Sequence, residues 1–166
     1  MRTAMFGKTN VELHEGDELK EYDIMNYAGN PKLDGLFDRV IVSLDLSRLP
    51  MSRVMPFLNN VFEMLVPMGE LTVYTPCAEF AAKQIFTNSP DALTFLSLYG
   101  GDEQPYRACY TLLNLRNLLE RAGFVARLAN VGVINVNMTT GEQMQMPVNV
   151  VIAAKVDNDK RTVSES

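Results

Sequence analysis

The chain has 166 residues, of which 47% are hydrophobic and 21% charged, enough apolar surface for one continuous core and too little charge for a disordered chain. A formal net charge of -5 argues against a sequence-independent grip on phosphates, which needs clustered Lys and Arg, so nucleic acid is excluded as a first expectation. Two cysteines, Cys77 and Cys109, are too few for a disulfide framework and suit a reducing, cytoplasmic setting. No apolar run is long enough to cross a membrane as a helix, and the start Met1-Arg2-Thr3-Ala4 lacks the apolar stretch of a signal peptide. The ten methionines, which pack adaptably, read first as core filling, with a partner surface as the alternative.

In chain order, the β-branched run Arg39–Ser43 predicts a strand buried on both faces of a parallel sheet. From Ser52 to Val66, apolar residues at helical spacing (Val54, Met55, Phe57, Leu58, Val61, Phe62, Leu65) predict an amphipathic helix that Pro67-Met68-Gly69 stops. Leu71–Thr75 is again strand-like, and strand, helix, strand is the pattern of a right-handed crossover between parallel strands. Ala78–Phe86 and Asp91–Leu98 predict short helices parted by Asn88-Ser89-Pro90, and Tyr99-Gly100-Gly101-Asp102 opens a loop. Thr111 is placed to cap a helix carrying Leu112, Leu115, Leu118 and Leu119 inward, with Gly123 closing it in a left-handed conformation. Val125–Asn137, a turn at Thr139-Thr140-Gly141 and Val148–Val156 predict an antiparallel pair. One domain over residues 1–156 and a polar tail over 157–166 follow.

Several segments together resemble the class I S-adenosylmethionine-dependent methyltransferases of compact type. Phe37–Ser43 is similar to that family's fourth strand, Leu46-Ser47-Arg48-Leu49-Pro50 to its Leu-Glu-His-Leu-Pro segment, and Leu65–Pro76 to the Pro-Gly-Gly turn and fifth strand. Leu98-Tyr99-Gly100-Gly101 through Phe124 resembles its Gly-Gly loop and last helix. The resemblance implies an α/β, Rossmann-like fold: a mostly parallel central sheet in the order 3-2-1-4-5-7-6, helices on both faces and an antiparallel last strand.

It also implies S-adenosylmethionine as cofactor, bound at a glycine turn after the first strand, where a backbone without side chains can turn tightly and approach the ligand. The best match is Ala4-Met5-Phe6-Gly7-Lys8-Thr9, with Gly7 its one glycine; an ordinary strand-end turn is the competing reading. Asp17 is the closest match to the acidic residue that accepts hydrogen bonds from the ribose hydroxyls, or else a solvated turn residue. Asp23 is placed near the adenine. A second alignment makes Val11–Asp17 the third strand and leaves no cofactor site. Ser47-Arg48 replaces Glu-His, and the only histidine, His14, sits among Glu12, Glu15, Asp17, Glu18 and Glu21 on what reads as a solvated face rather than a metal site. Arg107 and Cys109 fall in the loop where the family closes over substrate; with no base in view, Cys109 reads as buried and inert. The reading that follows is a methyltransferase-like subunit that has lost catalysis and serves as a binding or assembly module for a protein partner or a second copy. The alternative is an active methyltransferase acting on a small molecule or a protein.

Overall fold

The computed structural model describes residues 1–7, 12–27, 36–101, 104–138 and 140–156. Lys8, Thr9, Val11, Asp102, Thr139 and the 157–166 tail lie outside the described residues, so the sequence readings that fall on them are not developed further.

Six strands make one sheet: β1 (Arg2–Phe6), β2 (Glu18–Tyr22), β3 (Phe37–Ser43), β4 (Leu65–Pro76), β7 (Phe124–Asn137) and β8 (Gln143–Lys155). Their spatial order is β2-β1-β3-β4-β8-β7. The first four are parallel, and β8 runs antiparallel to both β4 and β7. This is the order implied by the resemblance less its third strand, which is not among the described residues. The alignment that made Val11–Asp17 the third strand is overturned. Residues 12–17 form only a turn, and Glu18–Tyr22 pairs in parallel with β1, residue for residue from Arg2 opposite Glu18.

Among the described residues four α-helices accompany the sheet: α1 (Met51–Met64), α2 (Ala78–Phe86), α3 (Ala92–Tyr99) and α4 (Leu112–Arg121). A two-residue antiparallel pair, β5 (Gly100–Gly101) with β6 (Gln104–Pro105), follows α3 where a plain loop was expected. Helix α1 ends at Met64, two residues before the expected stop, because Leu65 is already extended and pairs with Phe37. The left-handed backbone falls on Met68, inside the Pro67-Met68-Gly69 turn. Strand β8 begins five residues before the expected Val148, since Gln143–Pro147 pairs with the far half of β7.

Alternation along the strands sends Ala4, Phe6, Val40, Val42, Leu71 and Val73 to one face, where α1 and α4 bury them with Val54, Leu58, Val61, Leu115 and Leu119. Phe6 is the hub of an aromatic cluster, its ring centroid 5.2, 5.1 and 5.0 Å from those of Tyr22, Tyr27 and Phe57. A second, smaller cluster of Leu93, Met146 and Val148 forms on the other face, against which Phe80 of α2 and Leu96 of α3 pack. The caps follow the sequence: Thr111 accepts a bond from the Asn114 amide at 3.1 Å, and Gly123 closes α4 with φ 104°. Asp91 and Thr94 form a reciprocal box at the start of α3.

The seam between β4 and β8 carries the least replaceable polar contact. Asn149, fully buried, donates through Nδ2 to the Tyr110 carbonyl at 2.7 Å, to Thr75 Oγ1 at 3.2 Å and to the Pro76 carbonyl at 3.3 Å. One amide thus ties the antiparallel strand, the end of the last parallel strand and the entry to α4. Asn149→Ala removes this shared donor and leaves the Tyr110 carbonyl with the Ala78 amide alone, and a loss of about 1–3 kcal/mol in unfolding free energy is expected by denaturant titration.

Candidate functional site

In a doubly wound sheet the connections leave neighbouring strands in opposite directions at one point, and ligands bind in the crevice this opens at the carboxyl ends of the strands. Here that point lies between β1, whose chain continues outward to β2, and β3, whose chain continues the other way to β4. A cleft of about 400 Å³ opens there, lined by Gly7, Glu21, Tyr22, Asp23, Ser43, Leu44, Asp45, Arg48 and Tyr106. Its size lies within the range of small-molecule pockets.

Each wall has a local cause. Gly7 follows β1 with φ 90°, and a Cβ there would drive into the Ser43 carbonyl oxygen and come within 3.2 Å of Asp45 Cγ. Its glycine identity is therefore fixed by the approach of the β1 end to the β3 end. Asp23 follows β2, and its carboxylate accepts bonds from the Met25 amide at 3.0 Å and from Asn26 Nδ2 at 2.7 Å, which fix it at the mouth with lone pairs to spare. Leu44, next after β3, holds a left-handed backbone (φ 61°) that is costly for a side-chain-bearing residue, and the reversal delivers Asp45 to the floor of the cleft. Asp45 begins a single turn of 3₁₀ helix (Asp45–Arg48), and Arg48 reaches back to within 3.5 Å of its carboxylate. The Ser47 carbonyl accepts two amides, Arg107 at 2.7 Å and Ala108 at 3.1 Å, which hold the loop bearing Tyr106 over the cleft.

Burial pushes the Asp45 carboxyl above the usual carboxylate range, against the pull of the neighbouring Arg48 cation, with Asp23 raising it further. Tyr106 is pushed up to about 12, mainly by burial and then by the Asp45 charge, against Arg48. Its hydroxyl stays protonated at neutral pH and remains a hydrogen-bond donor.

The predicted site residues divide. Gly7 and Asp23 meet at the cleft. Asp17 does not: it precedes β2, at the amino end of the parallel strands, about 17 Å of strand away from the end where Gly7 lies. There it caps its own turn, accepting the His14 amide at 2.9 Å, which with the nearby Met1 amino group holds its carboxyl below the usual range. Arg107 and Cys109 are exposed beside the cleft without lining it, so the expectation of a buried Cys109 is corrected. Desolvation and the nearby Cys77 nonetheless push its thiol up, which disfavours the reactive thiolate. No cluster of metal-ligating residues exists among the described residues. Glu21, Asp45, Arg48 and Tyr106 were not among the sequence candidates. An acid two residues past a buried strand was the available signal for Asp45.

No family model matches the sequence, and no curated protein matches it. Solved structures do match its shape. A protein solved in connection with conversion of a disulfide bond into a thioacetal group during echinomycin biosynthesis superposes over 90% of this chain with a TM-score of 0.58 at 16% identity. An S-adenosylmethionine-dependent methyltransferase from Methanosarcina mazei superposes over 89% with a TM-score of 0.53 at 18% identity. This chain has the fold of the class I S-adenosylmethionine-dependent methyltransferases. A third methyltransferase-fold neighbour, the 1,6-didemethyltoxoflavin-N1-methyltransferase of Burkholderia thailandensis solved with S-adenosylhomocysteine, covers 85% at a TM-score of 0.52 and 17% identity. The chain spans 61%, 71% and 52% of the lengths of these three proteins, respectively. Within the methyltransferase fold, the cleft lies at the carboxyl ends of the first, second and fourth strands.

Two outcomes follow. Gly7→Ala forces a Cβ onto the Ser43 carbonyl in a left-handed backbone, and a loss of about 1–3 kcal/mol is expected in denaturant unfolding. Because the folded protein keeps the Asp45 proton to higher pH than the unfolded chain, the stability this proton confers is full below the unfolded value, about 3.9, and is lost as pH rises through the folded one. Thermal midpoints measured from pH 4 upward should therefore show a falling component that Asp45→Asn removes.

Proposed function

We propose that this protein is a methyltransferase-like protein that binds S-adenosylmethionine in the cleft between β1 and β3 and transfers its methyl group to an acceptor entering beneath Tyr106. The observation that carries this reading is the meeting of Gly7 with Asp23 and Glu21 at the switch point of the sheet. The donor set fits the group: vicinal ribose hydroxyls need carboxylate acceptors, and two stand at the end of β2. When bound, the cofactor supplies an activated methyl group on a sulfonium, so the protein's task is orientation rather than acid-base chemistry. Arg48 holds the Asp45 carboxylate in place, and Tyr106 offers a neutral hydroxyl as donor. Arg107 and Cys109 flank the acceptor's path from the outside.

A second reading, a binding or assembly subunit without catalysis, is favoured by one observation: Gly7 is accounted for by the packing of β1 on β3, with no ligand required.

Calorimetric titration with S-adenosylmethionine and S-adenosylhomocysteine tests the first reading. Micromolar affinity is expected, weakened about tenfold or more, some 1.4 kcal/mol, by Asp23→Ala and by Glu21→Gln, and unchanged by Asp17→Ala. Absence of heat up to millimolar ligand, or loss in the Asp17 variant alone, sinks the cofactor site and leaves the second reading.

A further inference from the structure

Strand β7 closes the sheet at its far side, and its outer edge pairs with no other described strand. Such edges invite pairing and are usually blunted by charge, proline, bulges or a covering element. In β7 the protection stops early. A register shift between Ala126 and Leu128 and the charge of Arg127 mark its first third, and from Leu128 to Asn137 the strand has neither charge nor proline. Along this stretch Leu128, Val131 and Val133 are 44%, 48% and 60% exposed.

We propose that β7 pairs antiparallel with β7 of a second copy of this chain about a two-fold axis at Gly132, joining two sheets into one. The occupant follows from the strand's own make-up. Free backbone amides and carbonyls along an edge are satisfied in series only by another extended strand. A symmetric partner sets each residue opposite one of its own kind of chain, which charged residues near the axis oppose and uncharged ones permit. The uninterrupted stretch beyond the bulge is centred beside Gly132, and pairing about that residue spans Leu128 to Val136. It sets Val131 against Val133 of the partner twice over, so the two most exposed large apolar residues of the strand are buried against each other on one face. On the other face Leu128 meets Val136. Arg127 falls opposite Asn137, so no like charges meet. Gly132 at the axis carries no side chain on the face where its Cβ position would already be within 3.3 Å of Val150.

The test is the mass in solution together with a cross-link, both on the full chain. Sedimentation equilibrium of the unmodified protein is expected to show a reversible dimer. Val131→Lys with Val133→Lys, which places like charges opposite each other across the axis, is expected to yield a monomer with unchanged far-ultraviolet dichroism. Independently, Val131→Cys with Val133→Cys in a Cys109→Ser background is expected to form a disulfide-linked dimer on mild oxidation, whereas Cys at Val125 with Cys at Val133 is expected to form none. A protein that is monomeric at every concentration, a dimer that survives the double lysine change, or the absence of the 131–133 cross-link overturns the proposal. If the lysine variant fails to fold, the cross-link alone decides.

Discussion

The backbone leaving β1 passes so near the Ser43 carbonyl that a side chain has no room at Gly7, and the shape of the cleft depends on this approach. It brings two parallel strands together at their carboxyl ends just where the chain changes its direction of winding. Leu44 then reverses the backbone at a conformational cost, and the reversal turns Asp45 inward instead of letting it run on into solvent. Burial of that carboxyl near Arg48 and Tyr106 follows from the backbone geometry rather than from any attraction among the three, since two of the groups have their protonation equilibria set chiefly by desolvation. The walls of the cleft are thus made by sheet packing first and by charge second.

The opposite half of the sheet depends on a different device. Inserting an antiparallel strand between β4 and β7 places the Pro76 and Tyr110 carbonyls and Thr75 Oγ1 side by side in a dry region, and Asn149 donates to all three through one amide group. Its own Oδ1 has no hydrogen-bond partner, a sign that the seam is built to fix the position of β8 rather than to maximise bonding.

How much of this was legible in the sequence varies along the chain for physical reasons. β3, α1, the core of β4, α2 and α4 carry strong apolar patterning, and α4 a Thr111 cap as well, and they are found within a residue or two of where the pattern puts them. β2 was invisible because Glu18-Leu19-Lys20-Glu21-Tyr22 lies at the rim of the described sheet, mostly wet, and has no apolar alternation to announce it. With that strand unseen, nothing in the sequence shows that Asp17 precedes it and that Asp23 follows it, at the end that meets the cleft. The site residues Arg48 and Tyr106 are brought in by a turn and a loop whose placement rests on backbone bonds to the Ser47 carbonyl, a contact that no residue pattern encodes. Gly7 lines the cleft, and the close approach of β3 accounts for the absence of a side chain there.

The hairpin of β7 and β8 is longer than the strand that supports it. Its pairing runs from Phe124 with Lys155 to Asn137 with Gln143, while β4 accompanies β8 only between Val148 and Ala154. The outer turns of the hairpin therefore overhang the sheet, carrying Met144 and Met146 onto α2 and α3, where the smaller apolar cluster sits apart from the main core. An overhang fastened by its own small cluster is a separate cooperative unit, able to open at a lower free energy than global unfolding. In the single chain, amide hydrogens along Val133–Asn137 would then exchange through local opening, while those of β1 and β3 beside the cleft would await disruption of the whole sheet.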